Sequence, residues 1–199
     1  MDDERDVSPR SAPEDVAVET SEPDYVDMPR PGVISRYDKV VRKYARRYLF
    51  DWRLISAQIY TESGFRRQAR SYRGALGLMQ IMPGTAQWLE EKAEKKEPGL
   101  GSASQMLLDP EVNIHLGCYY DAMLHSRIKN IQSSEDRHKM MFAAYNAGAG
   151  NLNRARRKSD APASWEGIEP HLPGETRKYV PTIYNRYEIY RQWAVLRPY

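Results

Sequence analysis

The chain has 199 residues, of which 41% are hydrophobic and 29% are charged. It is therefore long enough for one domain with a buried core. The only cysteine is Cys118, which excludes an intrachain disulfide. The 12 glycines and 13 prolines are close to average usage, which excludes a collagen-like or wholly low-complexity chain.

No apolar run approaches the roughly 20 residues of a bilayer-spanning helix, and the first residues lack a signal-peptide pattern. If the protein acts outside the cytoplasm, we expect its export signal to be missing from this chain.

The net charge of +3 combines two segments of opposite sign. Residues 1–30 hold ten acidic side chains and three arginines, a net charge of −7, together with four prolines. This composition predicts a disordered acidic tail or tether over residues 1–32. Residues 31–199 carry 27 basic and 17 acidic side chains, a net charge of +10. We therefore expect attraction to an anionic polymer, either nucleic acid, an acidic membrane or a cell-wall polymer.

Helical periodicity marks the first half of the remaining chain. Apolar side chains recur at steps of three or four residues from Ile34 to Tyr48, which predicts an amphipathic helix. Asp51 fits the N-cap of a second helix, and Gly64 lies just past its predicted end. A third helix is predicted over residues 83–97, with a proline in its first turn.

The second half of the chain continues the helical pattern. Asp109 and Pro110 form a cap and first-turn pair for a fourth helix, and Ser133 begins a fifth. The last helix is predicted over about residues 176–194, and Pro181 is tolerable only if this helix begins close before it. No apolar–polar alternation competes with these helices. The sequence therefore predicts one domain over residues 33–199 that is all-α or has a minimal β element.

Three short segments have the composition of a sugar-binding groove that contains an acid. Glu62-Ser63-Gly64-Phe65 lies at a predicted helix end, and Gly77-Leu78-Met79-Gln80 begins fifteen residues after the glutamate. Residues 143–150 end a predicted helix in a glycine-rich turn that carries a tyrosine and an asparagine. Small residues allow a polymer to approach the backbone closely.

These segments resemble the catalytic domain of lytic transglycosylases of the soluble-lytic-transglycosylase type, within the lysozyme-like superfamily. The resemblance spans about residues 50–190. Any single motif is weak, but several motifs in order at suitable spacing are specific. In chain order they are Glu62-Ser63, Ser71 to Gln80, Pro83 with Thr85-Ala86, Asp109-Pro110 with Asn113-Ile114 and Gly117, Ala144 to Gly148, and Glu175 to Val180.

The resemblance implies a lysozyme-like domain with a groove for the glycan strand of peptidoglycan. It implies cleavage of the β-1,4 bond between N-acetylmuramic acid and N-acetylglucosamine without water, which leaves a 1,6-anhydro ring on the muramic acid. By the same resemblance the catalytic glutamate is Glu62, and Ser71 and Tyr179 support it. The implied substrate contacts are Ser63, Met79, Gln80, Tyr145 and Asn146.

We also expect a monomer in the cell envelope, periplasmic or associated with the outer membrane. The expected partner is the peptidoglycan strand rather than nucleic acid, and cell-wall or secretion-machinery proteins are possible further partners. We expect no metal and no other cofactor, because the four histidines show no metal-ligand spacing.

The acidic residues favour one of two possible reactions. Hydrolysis by the usual route needs a second carboxyl group about 5 to 10 Å from the acid, yet residues 65–88 contain no Asp or Glu. A lone carboxyl still suffices if the substrate supplies the nucleophile. Glu62 would protonate the leaving oxygen, the N-acetyl group would stabilise the developing cation, and Glu62 would then deprotonate the sugar's 6-hydroxyl group.

Proton donation near neutral pH requires a raised pKa of Glu62, which burial can supply. Nearby arginines would lower that pKa. We therefore predict that four arginine side chains of the following segment face outward, toward peptide carboxylates or wall phosphates. They are Arg66, Arg67, Arg70 and Arg73.

Several alternatives remain open at this point. The same fold could use water as a muramidase, which a second carboxylate across the groove would favour. A non-catalytic peptidoglycan-binding or scaffold module and a nucleic-acid binder are further hypotheses. Individual residues also have purely structural interpretations: Cys118 as a buried thiol, Met79 as a packing residue and residues 154–158 as a solvated basic run. Residues 161–173 are a possible groove wall.

Overall fold

The computed structural model describes residues 32–93, 100 and 102–195. Within these residues the fold is all-α, as predicted, and β pairing is limited to two isolated antiparallel bridges, Arg70 with Leu76 and Leu76 with Ile81. The helices are α1 (Asp38–Arg47), α2 (Trp52–Ser63), α3 (Pro83–Ala93), α4 (Pro110–Arg127), α5 (Ser134–Ala147), α6 (Ala149–Lys158), α7 (Trp165–Ile168) and α8 (Gly174–Val195), with short 3-10 helices at Ala103–Gln105 and Glu169–His171. The predicted acidic tail up to residue 31 and the predicted extension of the third helix beyond Ala93 lie outside the described residues.

Local hydrogen bonds fix where the helices begin and end. Asp51, Asp109 and Ser133 each accept a hydrogen bond from a backbone N–H two or three residues later, at 2.9 to 3.1 Å. Gly64 ends α2 with φ of 60°, a left-handed conformation that glycine adopts readily. These four predictions are confirmed, and they matter for the site because the end of α2 carries Glu62.

Two helices, α6 and the four-residue α7, were not predicted. The glycine-rich segment around residue 148 was expected to form a turn, yet Gly148 alone separates α5 from α6, with φ of 88° and ψ of 150°. The basic run of residues 154–158 forms the end of α6, where cations interact favourably with the helix dipole.

The last helix begins earlier than predicted. α8 starts at Gly174, so Pro181 is its eighth residue and lies inside the helix. The predicted range of about 176–194 nevertheless agrees with α8 to within two residues, and it already placed Pro181 inside the helix. Proline removes one backbone donor, and α8 continues because it packs against both α2 and α5.

The core is formed mainly by α2, α4, α5 and α8. α2 packs most extensively on α8, and α5 contacts α4, α6 and α8. Cys118 is fully buried on α4, as predicted. Residues 161–173 form α7 and a 3-10 turn that pack on α6, with α7 also touching α5. None of the helices in the described part of the chain is long and apolar enough to cross a membrane.

Candidate active site

Glu62 lies in the last turn of α2 and is almost completely buried, with 3% of its surface exposed. The hydroxyl of Tyr179, which comes from α8, donates a hydrogen bond to Oε1 of Glu62. Tyr179 is itself buried. The two residues are 117 positions apart in the chain, so the packing of α2 on α8 creates this pair.

Burial raises the pKa of Glu62 to about 8. The hydrogen bond from Tyr179 acts in the opposite direction, and the negative charge of Glu175 raises the pKa further. A carboxyl group with this pKa is mostly protonated at neutral pH. Glu62 therefore carries a proton under conditions in which an ordinary glutamate is an anion.

The arginines that follow α2 do not neutralise Glu62. Arg67, Arg70 and Arg73 are exposed, and Arg66 directs Nε to the carbonyl oxygen of Ser63 at 2.9 Å. Among the described residues, no cation forms an ion pair with Glu62. The prediction that these side chains face away from the acid is confirmed.

The loop between α2 and α3 is held by a short turn at Ser71. Its Oγ accepts a hydrogen bond from the backbone N–H of Ala75 at 2.9 Å, and its own N–H bonds to the Ala75 carbonyl at 3.0 Å. Ser71 is half-buried, and its hydroxyl proton is not used in this turn. The catalytic-supporting role of Ser71 stays a prediction.

The side chain of Asn113 on α4 is hydrogen-bonded to the same loop. Its Nδ2 donates to the carbonyls of Leu76 (3.0 Å) and Leu107 (2.8 Å), and its Oδ1 accepts from the N–H of Met79 at 2.7 Å. Sequence reasoning gave Asn113 no role of its own. The available signal was an amide residue on the buried side of α4, one turn after the Asp109 cap.

Beneath the surface of the loop lie three buried side chains, those of Ser63, Met79 and Tyr145. The Ser63 hydroxyl lies 2.8 Å from the Leu78 carbonyl and 3.1 Å from the Ile59 carbonyl. The Tyr145 hydroxyl donates to the carbonyl of Met79 at 2.8 Å. All three side chains are at most 1% exposed. The structure brings them together near Glu62, and their contact with substrate stays a prediction.

Gln80 and Asn146 are also buried, but each keeps one polar atom unused. Nε2 of Gln80 donates to the carbonyls of Gly77 (2.8 Å) and Ala69 (3.2 Å), and Oδ1 of Asn146 accepts from the Thr176 hydroxyl at 2.7 Å. Oε1 of Gln80 and Nδ2 of Asn146 have no hydrogen-bond partner among the described residues. These two atoms are thus candidates for substrate contacts, and that role too stays a prediction.

Two further carboxyl groups interact electrostatically with Glu62. The charge of Glu175 raises the pKa of Glu62, and a charge on Glu62 raises the pKa of Asp121. Glu175 is exposed in the first turn of α8, and Asp121 is fully buried on α4. Because both lie outside residues 65–88, the absence of a second carboxylate from that segment predicted nothing about them. The signal for Asp121 was an acidic residue three positions after Cys118, on the buried face of α4.

A separate cavity of about 420 Å³ opens beside the loop. It is lined by Arg70, Leu76, Asp109 and residues 104–108. Glu62 does not line it. No group of three or more His, Cys, Asp or Glu side chains able to hold a metal ion occurs in the described ranges.

Residues 39–168 match the family described as "Transglycosylase SLT domain". The matched segment is well over half of the chain and includes Glu62 and the loop that follows it. The chain belongs to this family. The match covers α1 from its second residue and the whole of α2 to α7, whereas α8, which carries Tyr179, lies beyond it.

Relatives and solved structures of the family resemble this SLT domain over most of its length. The chain is 31% identical over 150 residues to a membrane-bound lytic murein transglycosylase F of Ectopseudomonas mendocina, covering 75% of the chain and 27% of that protein. It is 34% identical over 170 residues to a membrane-bound lytic murein transglycosylase C of Edwardsiella ictaluri, covering 79% and 47%. The crystal structure of the 70-kDa soluble lytic transglycosylase of Escherichia coli superposes with a TM-score of 0.67 at 28% identity, covering 79% and 24%. The chain therefore spans about a quarter to a half of the length of these relatives.

Proposed function

We propose that this SLT domain is a peptidoglycan lytic transglycosylase. It cleaves the β-1,4 bond between N-acetylmuramic acid and N-acetylglucosamine and leaves a 1,6-anhydro-muramic acid end. The observation that carries the proposal is a buried glutamate, Glu62, whose pKa is raised to about 8 and which accepts a hydrogen bond from Tyr179. Membership of the SLT family and the names of its relatives support the same substrate.

In the first step Glu62 acts as a general acid. Its proton passes to the glycosidic oxygen as the bond to C1 of the muramic acid breaks, and N-acetylglucosamine leaves with a free hydroxyl group. The N-acetyl group of the same sugar stabilises the developing positive charge at C1. The Glu62 carboxylate that remains is held by the hydrogen bond from the Tyr179 hydroxyl.

In the second step Glu62 acts as a general base. The carboxylate removes the proton of the 6-hydroxyl group, and that oxygen forms the new bond to C1, which closes the anhydro ring. Glu62 ends the cycle protonated, so one carboxyl group serves twice and no water is consumed. Ser71 lies on the loop that follows α2, where its unused hydroxyl proton would meet the reacting sugar.

The buried polar residues around the loop would bind the glycan strand. Nδ2 of Asn146 and Oε1 of Gln80 supply a donor and an acceptor that are unused within the described residues, and sugar hydroxyl and acetamido groups would pair with them. Ser63, Met79 and Tyr145 shape the surface beneath these groups. We also propose a location in the cell envelope, periplasmic or associated with the outer membrane, and action as a monomer.

A muramidase is the second candidate, and Glu175 is the observation that favours it. This exposed carboxylate is close enough to Glu62 to raise its pKa, so it could activate a water molecule. The two candidates differ in whether water enters the product. The same product analysis also tests a non-catalytic binding module, which would release no fragments.

The experiment is digestion of purified peptidoglycan by the wild-type domain, Glu62→Gln and Glu175→Gln, followed by mass spectrometry of the muropeptides. We expect anhydro products, lighter by one water, from the wild type and a loss of at least about 100-fold in Glu62→Gln. Reducing-end products that disappear in Glu175→Gln would establish the muramidase instead. Equal activity of Glu62→Gln and wild type would refute the role of Glu62.

A further inference from the structure

Behind Glu62 lies a pair of buried polar residues that the mechanism above does not use. Gln58 is on α2, one helical turn before Glu62, and Asp121 is on α4. Both side chains are 0% exposed. Nε2 of Gln58 donates a hydrogen bond to Oδ1 of Asp121 at 3.3 Å, so the pair joins α2 to α4 directly beneath the turn that carries Glu62.

Each member of the pair has one oxygen atom without a donor. Oε1 of Gln58 and Oδ2 of Asp121 are both buried and have no hydrogen-bond partner among the described residues. A buried acceptor that is left unpaired is costly, and such atoms are rare in folded proteins. Here the two unpaired acceptors belong to two residues that already share a hydrogen bond.

One proton satisfies both atoms. If Oδ2 of Asp121 is protonated, it becomes a donor to Oε1 of Gln58, while Nε2 of Gln58 continues to donate to Oδ1. The carboxylic acid and the carboxamide then form a ring with two hydrogen bonds. An ionised Asp121 would have four acceptor sites, and within the described residues Nε2 of Gln58 alone would donate to it.

We propose that Asp121 is a permanently protonated positioning residue of this site. Paired with Gln58, it fixes the last turn of α2 against α4, so that of these two buried carboxyl groups Glu62 alone changes its charge during the reaction. This inference rests on the proposed function for the role of Glu62, but the state of Asp121 itself does not depend on it.

The described groups that interact electrostatically with Asp121 support a neutral acid. They are Glu62 and Gln58 of α2, Cys118 of α4, Tyr145 of α5 and Tyr179 of α8. None of these groups is a cation. Burial raises the pKa of Asp121 well above its ordinary value, and a charge on Glu62 acts in the same direction.

The neutral state of Asp121 has a consequence for the reaction. A second anion behind Glu62 would hold the Glu62 proton more tightly and so oppose its transfer to the glycosidic oxygen. With Asp121 protonated, the pKa of Glu62 depends on its own burial, on Tyr179 and on Glu175. Because it already carries a proton, Asp121 is then unable to act as a base in hydrolysis.

The first test detects the proton directly. Infrared spectra of Glu62→Gln, in which the catalytic carboxyl is absent, are compared at pH 8 with those of Glu62→Gln/Asp121→Asn. We expect a protonated-carboxyl C=O band in the first protein that is lost in the second. Absence of the band from Glu62→Gln would show an ionised Asp121 and overturn the proposal. No peptidoglycan is needed, so this outcome is independent of the proposed activity.

The second test uses the isosteric variant Asp121→Asn alone. Asparagine keeps both hydrogen bonds to Gln58, so we expect the melting temperature and the pH dependence of cleavage to match the wild type. If Asp121 were an anion, its removal would lower the pKa of Glu62, and the basic limb of the profile would move to lower pH. That shift would overturn the proposal.

A double-mutant cycle tests the pairing with Gln58. Asp121→Leu and Gln58→Leu each leave a buried polar partner unpaired, so we expect each to lower the melting temperature clearly. The double variant removes both polar groups, and we expect it to recover most of the combined loss. Strictly additive losses would contradict the pair. If a single leucine variant does not fold, the infrared comparison still decides the protonation state.

Discussion

At the scale of single residues, the chemistry of Glu62 follows from its surroundings. The carboxyl group is buried at the end of α2, and burial raises its pKa from 4.5 to about 8. The hydroxyl of Tyr179 offers a hydrogen bond that is worth most when the proton has left. In the proposed reaction, the site would thus favour the protonated acid before bond cleavage and the carboxylate afterwards.

The raised pKa of Glu62 makes folding stability depend on pH. Between pH 4.5 and about 8 the folded state holds a proton that the unfolded state releases. The free energy of unfolding therefore falls as the pH rises through this window, by up to about 1.4 kcal/mol per pH unit. We expect Glu62→Gln to lose less stability than the wild type between pH 5 and pH 8, measured by urea unfolding.

Glu91→Gln is the control for this prediction, because Glu91 is exposed on α3. Its stability should follow the wild-type pH dependence. If Glu62→Gln and Glu91→Gln behave alike, Glu62 does not keep a buried proton in the folded state.

The Tyr179 hydroxyl lowers the pKa of Glu62, so its removal should raise that pKa further. We expect Tyr179→Phe to move the basic limb of the pH–rate profile to higher pH. We also expect slower cleavage by about 10- to 100-fold, since a hydrogen bond to a charged group contributes roughly 1.5 to 3 kcal/mol. The measurement is initial rates of muropeptide release from pH 5 to pH 10.

Tyr184→Phe is the matched control on the same helix. The Tyr184 hydroxyl donates to the backbone carbonyl of Glu135, away from Glu62. Its pH–rate profile should keep the wild-type shape. An unshifted profile in Tyr179→Phe would show that the hydroxyl does not act on the proton of Glu62.

At the scale of elements, the loop between α2 and α3 keeps its shape through α4. Asn113 forms three hydrogen bonds that join this loop and the segment before α4. Gly77, with φ of 78°, lies in this loop against the Asn113 side chain and the Leu107 carbonyl. A side chain at Gly77 would overlap the Asn113 amide and the Leu107 carbonyl. The loop therefore depends on a close approach between two backbones.

Two glycines of this loop provide a matched pair of variants. Both have positive φ, but a Cβ at Gly74 would meet no atom within 4 Å, whereas one at Gly77 would overlap Asn113. We expect Gly74→Ala to cost about 1 kcal/mol of stability from backbone strain alone. Gly77→Ala should cost more than about 3 kcal/mol, because overlap and lost hydrogen bonds add to the strain.

Chemical denaturation of the two variants checks this difference. Gly77→Ala should also lose cleavage activity, since the loop begins next to Glu62. Equal stability losses in the two variants would mean that the Asn113 contacts do not hold the loop.

At the scale of the whole molecule, charge is distributed unevenly. The exposed face of α1 carries Lys39, Arg42, Arg46 and Arg47, and three further exposed arginines lie on the loop after α2. With a net charge of +10 over residues 31–199, these cations favour an anionic polymer. Salt screens such attraction between exposed charges at separations beyond the Debye length, which is about 10 Å at 0.1 M.

Binding to insoluble peptidoglycan should therefore weaken as ionic strength rises. We expect several-fold less Glu62→Gln protein to sediment with peptidoglycan at roughly 0.5 M salt than at roughly 0.05 M, since the Debye length shortens over this range. The inactive variant keeps the polymer intact during the measurement. Binding that does not change with salt would show that sugar contacts alone hold the domain on its substrate.

Much of the fold was predictable from the sequence, and the reason is local. A cap such as Asp51 or Ser133 acts on a backbone N–H only two or three residues away, and helical periodicity repeats within one element. The same logic explains the misses. α6 was missed because it follows Gly148 directly, where the glycine-rich sequence indicates a turn. Pro181 lies inside α8, as the predicted range already placed it, and packing on α2 and α5 outweighs one lost hydrogen bond.

The sequence by itself determined an all-α domain, Glu62 as the candidate acid, and outward-facing arginines after α2. Only the tertiary structure decided the environment of that acid. The hydroxyl of Tyr179 reaches it across 117 residues, and Gln58 meets Asp121 across 63. Burial and pKa depend on which helices meet, because desolvation is produced by atoms far apart in the chain. Local sequence patterns carry no information about such distant neighbours, so the protonation states of Glu62 and Asp121 emerge only when α2, α4, α5 and α8 pack together.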